Sequence, residues 1–280
     1  MDTLLTVEQV NKMSYTDFIS FLQEENRPSG GKMTIREIAH NAFINSSSSV
    51  LEVGCTNGFS SIEISRITKC NVVGIDINNL SINNAKAKAE AHGLDESVVS
   101  FVFANADELP FADNSFDLVI CGNALSFMED EKKSLKEIMR VVKPSGFISI
   151  VPLWYHSEPD AEVVANVSGI LGFNIRCRTK DEWLSVISDT PLELFYIRDY
   201  GFHDQGSEKI EAYISEFFKS KPYLETLPED VKRQIHLRWK NTIEVFNENL
   251  KRTSFSIILL RKNSIPEEVE MFMSYPKILN

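Results

Sequence analysis

A chain of 280 residues, 43% of them apolar and 25% charged, is long enough for one full α/β domain with an appended element and does not require two cores. Its formal charge of −11 argues against nucleic acid as a partner, because phosphate binding needs a basic surface. The longest strongly apolar runs, such as 257–260, are strand-sized and exclude a spanning segment, and the N-terminus lacks the basic and apolar regions of a secretory signal.

Residues 1–49 are expected to be helical. Thr6 with Gln9, and Thr34 with Glu37, both fit capping boxes, which satisfy free amides at helix starts. Asn26-Arg27-Pro28-Ser29-Gly30-Gly31-Lys32 interrupts the pattern between them, and Ser46 to Ser49 forms a short polar link. Val50 to Val53 is then an apolar run carrying Glu52, followed by Gly54-Cys55-Thr56-Asn57-Gly58. Such a sequence is a buried parallel strand breaking into a tight turn, where a side chain at Gly54 or Gly58 would block the turn or a ligand lying against the backbone. A helix near 60–68 leads to a second strand at 72–75, which delivers Asp76 to the same sheet edge. A carboxylate there can accept hydrogen bonds from two ribose hydroxyls.

A helix at about 80–92 can be terminated by Gly93. Strands are expected near 98–103 and 116–121, then a helix at 131–142 and a fifth strand at 147–151. Sequential βα units imply a parallel sheet with helices on both faces. Beyond Pro152 the pattern loosens. Thr179 and Glu182 can cap a helix running to about 188, and strand-like runs follow at 192–199 and 253–261, separated by a helix-rich stretch at about 207–250.

The glycine spacing narrows the ligand. Gly54-x-Thr56-x-Gly58 has no third glycine to seat a pyrophosphate, and Phe59 rather than a Lys-Ser/Thr pair follows the turn. A nucleoside without phosphates fits best. At this point the chain resembles the class I S-adenosylmethionine-dependent methyltransferases, specifically the small-molecule branch typified by quinone-biosynthesis enzymes. The resemblance runs from about Val50 to Val151. It includes Asn105-Ala106 before Leu109-Pro110-Phe111, the run from Asp113 to Ile120, and the helix and turn from Leu135 to Gly146.

The resemblance implies a doubly wound, seven-stranded Rossmann-like α/β sheet with an N-terminal helical lid at 1–49. The methyltransferase domain would occupy 50–280, with a helical substrate cap inserted at about 207–250. It implies S-adenosylmethionine as cofactor, with S-adenosylhomocysteine as product. Glu52 would accept from the methionine amino group or fix the turn. Gly54, Cys55 and Gly58 would approach the methionine moiety, and Asp76 the ribose. Ile77, Asn105 and Ala106 would contact adenine, while Gly122 and Asn123 would lie by the reactive methyl. Tyr15 would close over the cofactor from the lid, and Arg27 would bind a carboxylate of substrate or cofactor. The chain departs from the family pattern at four places: Thr56 for a middle glycine, Asn105 for an aspartate, Ser145 for a glycine and Phe127 for a histidine.

Methyl transfer is an in-line displacement that needs alignment first and a base only when the nucleophile must lose a proton. His156 and His203 follow strands at the ligand-bearing edge and are the candidate bases, whereas His40 and His92 lie in helices away from it. Trp154, Tyr155, Phe202, Tyr223 and Trp239 could line an apolar acceptor pocket. No metal-ligand spacing is present. Cys55, Cys70, Cys121 and Cys177 form no Cys-x-x-Cys pair and read as buried thiols of a reducing, cytoplasmic compartment. The expected acceptor is a small molecule or short peptide, and the expected assembly at most a homodimer. Rival readings are methylation of a peptide or protein at a terminal carboxylate or amine, or a cofactor-binding protein without transfer. A nicotinamide oxidoreductase is disfavoured by the missing third glycine.

Overall fold

The computed structural model describes residues 5–263, so the last residues of the expected domain, to 280, lie outside the described residues. Three helices come first: α1 (Val7–Lys12), α2 (Tyr15–Phe21) and α3 (Lys32–Asn41). The alternating core follows as β1 (Ser49–Val53), α4 (Phe59–Thr68), β2 (Asn71–Asp76), α5 (Asn79–Ala91) and β3 (Val99–Phe103). It continues as β4 (Phe116–Gly122), α6 (Glu131–Val141) and β5 (Val142–Ile150). The remainder is β6 (Leu153–Tyr155), α7 (Ala161–Leu171), α8 (Lys180–Ser188), β7 (Glu193–Gly201), α9 (Gly206–Lys219), α10 (Glu229–Leu250) and β8 (Thr253–Arg261).

The sheet runs β3-β2-β1-β4-β5-β8, with β7 on the far side of β8. The first five strands are parallel, and β8 is antiparallel to both β5 and β7. Eight strands appear instead of seven because Pro152 has no N–H to give the ladder. β6 resumes along β8 after that break in unchanged register: Ile150 pairs with Ile258 and Leu153 with Phe255. Alternation along β1 sends Val50 into one apolar core and Leu51 and Val53 into the other, so both faces of the sheet are covered.

A third core lies apart from the sheet. Val10, Phe18, Ile19 and Leu22 from the N-terminal helices pack with Ile210, Ile214, Phe217, Val231, Ile235 and Trp239 from α9 and α10. The first two helices of the segment expected as a lid and the helices of the stretch expected as a cap therefore share one core, whereas α3 packs on the sheet through Ile35, Ile38 and Ala39.

The capping boxes at Thr6–Gln9 and Thr179–Glu182 form. The one at Thr34–Glu37 does not: Gly30 and Gly31, at φ +79° and +57°, turn the chain into α3 two residues earlier. Thr34 instead donates to the Ser29 carbonyl, and Glu37 accepts from Tyr196 and Tyr200. Ser145 stands at φ +61°, in the left-handed region that explains a glycine at this turn. Cys55, Cys70 and Cys121 are buried free thiols, but Cys177 is only half-buried.

Candidate active site

The glycine turn is folded back over β2. Gly54 and Cys55 both donate to the Ile75 carbonyl at 2.9 Å, and Gly58 closes the turn onto the Cys55 carbonyl at 2.8 Å. Thr56 adopts φ +44°, a costly conformation for a β-branched residue. Two bonds hold it there: its N–H donates to Asp76 Oδ2 at 2.9 Å, and its hydroxyl accepts from Asn26 Nδ2 at 3.0 Å. Asp76 Oδ1 accepts the Asn78 N–H at 2.9 Å, while Asn78 Oδ1 caps α5 through Leu80 and Ser81. Burial raises the Asp76 pKa, which these backbone bonds partly offset. Beside it, Ile77 is 68% exposed, an aliphatic side chain left bare at the end of a buried strand.

Glu52 takes the second of its two expected roles. Its side chain turns under the loop to α4, where Oε2 accepts the Ser61 N–H at 2.8 Å and the Ser61 hydroxyl. Burial pushes its pKa up to about 7. Gly58 does not face a ligand: a Cβ there would meet Phe101 at 2.8 Å and Ala85 at 2.9 Å, inside the core. Cys55 has a buried thiol, and its N–H and C=O are both hydrogen-bonded within the turn. Gly54 has φ +74°, and a Cβ there would sit 2.9 Å from Ala124 in the short 3-10 turn after β4. Gly122, at φ +48°, has open space where a Cβ would go. Asn123 Oδ1 holds Ser126, and Phe127 packs edge-on to Phe173 at 5.2 Å. Asn105 is exposed and its Oδ1 accepts the Asp107 N–H at 3.0 Å, while Ala106 is buried beneath it. Asp76, Ile77, Gly54, Gly122, Asn123 and Asn105 thus share the carboxyl edge of β2, β1, β4 and β3.

Sequence reasoning missed Asn57. It is 2% exposed, and its amide donates to the Glu24 carbonyl at 2.5 Å and accepts from Asn84 at 3.0 Å. Asn84 also donates to the Ser20 carbonyl at 2.8 Å. These bonds seat the segment after α2 directly on the glycine turn. Tyr15 lies in this helical roof, edge-on to Phe246 at 5.7 Å, with its hydroxyl pKa raised by burial and by the charge of Glu24. Arg27 stacks over Phe59 at 5.2 Å and pairs with Glu25. The sequence neighbours of Asn57 carry no signal of this role, because its partners lie 33 and 27 residues away.

The histidines fare less well. Both are exposed at the ligand-bearing edge. His203 follows β7, four strands from β1, about 19 Å by strand spacing and beyond hydrogen-bond reach of a group at the turn. His156 is anchored through its N–H to the Arg252 carbonyl. The five aromatic residues do not meet in one pocket. Trp239 and Tyr223 belong to the helical core, Trp154 and Phe202 border opposite faces of the sheet, and Tyr155 bonds Asn249.

A family model described as "Methyltransferase domain" matches residues 51–150. An uncharacterized protein of Haemophilus influenzae is 31% identical over 166 residues, covering 59% of this chain and 65% of the relative. An O-methyltransferase of Aspergillus nomiae is 35% identical over 117 residues, covering 41% and 52%. The chain therefore spans between about half and two thirds of these relatives' length. A phosphoethanolamine N-methyltransferase of Haemonchus contortus, solved with phosphomonomethylethanolamine and S-adenosylhomocysteine, has the same fold at TM-score 0.68. It is 14% identical, and the match covers 91% of this chain and 61% of that one. No helix among the described residues is long and apolar enough to cross a membrane. With the sheet in this order and the family model lying on its five parallel strands, residues 51–150 belong to the class I S-adenosylmethionine-dependent methyltransferases.

Proposed function

We propose that this chain transfers a methyl group from S-adenosylmethionine to an O, N or C nucleophile of a small molecule in the cytoplasm. One observation carries the reading: Asp76 stands at the end of β2 with the bare Ile77 beside it. An anchored carboxylate next to an exposed aliphatic side chain matches a ribose next to a base, and neither feature serves the fold alone. Gly54 and Gly122 fit the same ligand, since the backbone is left open at Gly122 and tightly turned at Gly54.

When bound, S-adenosylmethionine supplies a methyl group already activated on a sulfonium. Asp76 would hold the ribose hydroxyls, and Ile77 with the Asn105 loop would hold the base. The helical body over the turn would exclude water and align the acceptor. Its size, with α9 and α10 on the C-terminal side and α1 and α2 on the N-terminal side, favours a specialised metabolite as acceptor. Calorimetric titration with S-adenosylhomocysteine tests the cofactor, and formation of that product with candidate acceptors tests transfer. Absence of any binding by the wild-type protein would refute the reading.

A further inference from the structure

Glu24, beside the glycine turn, is a carboxylate with neither an ion pair nor a short side-chain hydrogen bond among the described residues. Four carboxylates surround the glycine turn: Glu52, Asp76, Glu25 and Glu24. Glu52 is committed beneath the loop to Ser61, and Asp76 to the amides of Thr56 and Asn78. Glu25 is consumed by Arg27 at 2.7 Å and Lys88 at 2.9 Å. Glu24 forms no ion pair within 4.0 Å among the described residues. The two cations nearest it are engaged elsewhere: Arg27 with Glu25, and Lys221 with the Gln23 carbonyl at 2.8 Å. Among the described residues its carboxylate meets the Tyr213 hydroxyl of α9 at 3.5 Å and the backbone N–H of Asn26. Burial raises its pKa, and the attraction of Lys221 and Arg27, neither within ion-pair distance, only partly offsets it.

The residue is also fixed in place. Its carbonyl accepts from Asn57 at the centre of the turn, and Asn26, two residues on, binds Thr56. Such anchoring on both sides is unusual for a loop whose acid has nothing to pair with.

The ligand's path, resting on the proposed function, leads to this acid. The sheet order places β3, β2, β1 and β4 side by side. With the base at β3 and β2 and the ribose on Asp76, the amino-acid end of the cofactor must cross β1, over the turn and under the segment at 24–27. That end carries an ammonium group. We infer that Glu24 is the carboxylate that binds the α-ammonium of the cofactor, in the place the sequence suggested for Glu52. Tyr15 and Tyr213 stand beside it, Tyr213 with its hydroxyl 3.5 Å from the carboxylate.

The probe pair is S-adenosylhomocysteine and its deamino analogue, in which hydrogen replaces the α-ammonium, each titrated calorimetrically into the full chain. The wild type should prefer S-adenosylhomocysteine by roughly 10- to 100-fold, the range of a charge-assisted bond. Glu24→Gln should lose that preference, with affinity for the deamino analogue changed by less than about threefold. Retention of the preference in Glu24→Gln overturns the inference, and so does equal loss of both ligands, which marks a structural role. A wild type that binds S-adenosylhomocysteine without any preference overturns it too, whether or not the variant folds. Failure of the wild type to bind either compound would instead defeat the cofactor reading itself.

Discussion

Glu52→Gln should remove a pH dependence of stability that originates in one buried acid. Glu52 is 6% exposed, and burial lifts its pKa from the ordinary 4.5 to about 7, against the lowering effect of the Ser61 and Ser60 bonds. Between those values the folded protein holds a proton that the unfolded chain has released. Folded-state proton uptake means that stability is greatest below pH 4.5 and falls as pH rises to 7, then levels off. A tenfold difference in proton affinity between the folded and unfolded states is worth about 1.4 kcal/mol, so ionising Glu52 withdraws roughly 2–3 kcal/mol between about pH 5 and pH 8. Glutamine cannot titrate, and its amide oxygen can still accept the Ser61 N–H. Urea unfolding of both proteins at the two pH values isolates the residue, because Asp76 and Glu24, whose pKa values are also raised, contribute equally to each. The wild type should lose roughly 2–3 kcal/mol more than the variant on going to about pH 8. Parallel losses would show that Glu52 is ionised throughout, and that its carboxylate keeps the solvation of an exposed acid.

Asp76→Ala should both weaken S-adenosylhomocysteine binding by at least about tenfold and lower folding stability by roughly 1–3 kcal/mol, because two amide bonds at 2.9 Å are lost. Calorimetry and urea unfolding check the two arms, and wild-type affinity would dismiss the ribose assignment. Gly58→Ala and Gly122→Ala should differ in kind. The first drives a Cβ into Phe101 at positive φ and should cost about 1–3 kcal/mol of stability; the second meets no atom, so it carries only the positive-φ strain of roughly 1 kcal/mol and should in addition impair cofactor binding. A Gly122→Ala protein that binds S-adenosylhomocysteine normally would remove Gly122 from the ligand face. Replacing 206–250 by a short loop should expose Val10, Phe18, Ile19 and Leu22, so that limited proteolysis cuts the N-terminal helices as well. Undiminished protection there would contradict a shared core.

Local pattern made the alternating half of the fold legible. The apolar run, the acid and the glycines of the turn lie within nine residues, and the strand expected at Thr253–Arg261 has those same bounds in the structure. Asp76 was legible for the same reason, since β2 is an apolar strand with an acid at its end. Features that depend on distant partners were not. Asn57 finds Glu24 and Asn84, 33 and 27 residues away, and no local pattern announces such bonds. Helix α7 carried a local signal that went unread: Val163, Val164, Val167, Ile170 and Leu171 recur at helical spacing on one face, and Asp160 and Gly172 cap its ends. The box at Thr34 misled because its spacing recurs inside a helix that two glycines had already begun.

The helical body joining the two ends of the chain also sets an order of events during synthesis. Val10, Phe18, Ile19 and Leu22 leave the ribosome before the sheet, yet Ile214, Ile235 and Trp239, which cover them, are made some 200 residues later. At translation speeds of about 5–20 residues per second, that interval is roughly 10–40 s. The sheet, whose strands β1 to β5 are contiguous in sequence, can assemble in the meantime. The growing chain therefore holds the carboxyl edge of its parallel strands before it holds the helical body above it. Its apolar leading helices are the part exposed to chaperones and to self-association, and slow passage through 206–250 would prolong that exposure.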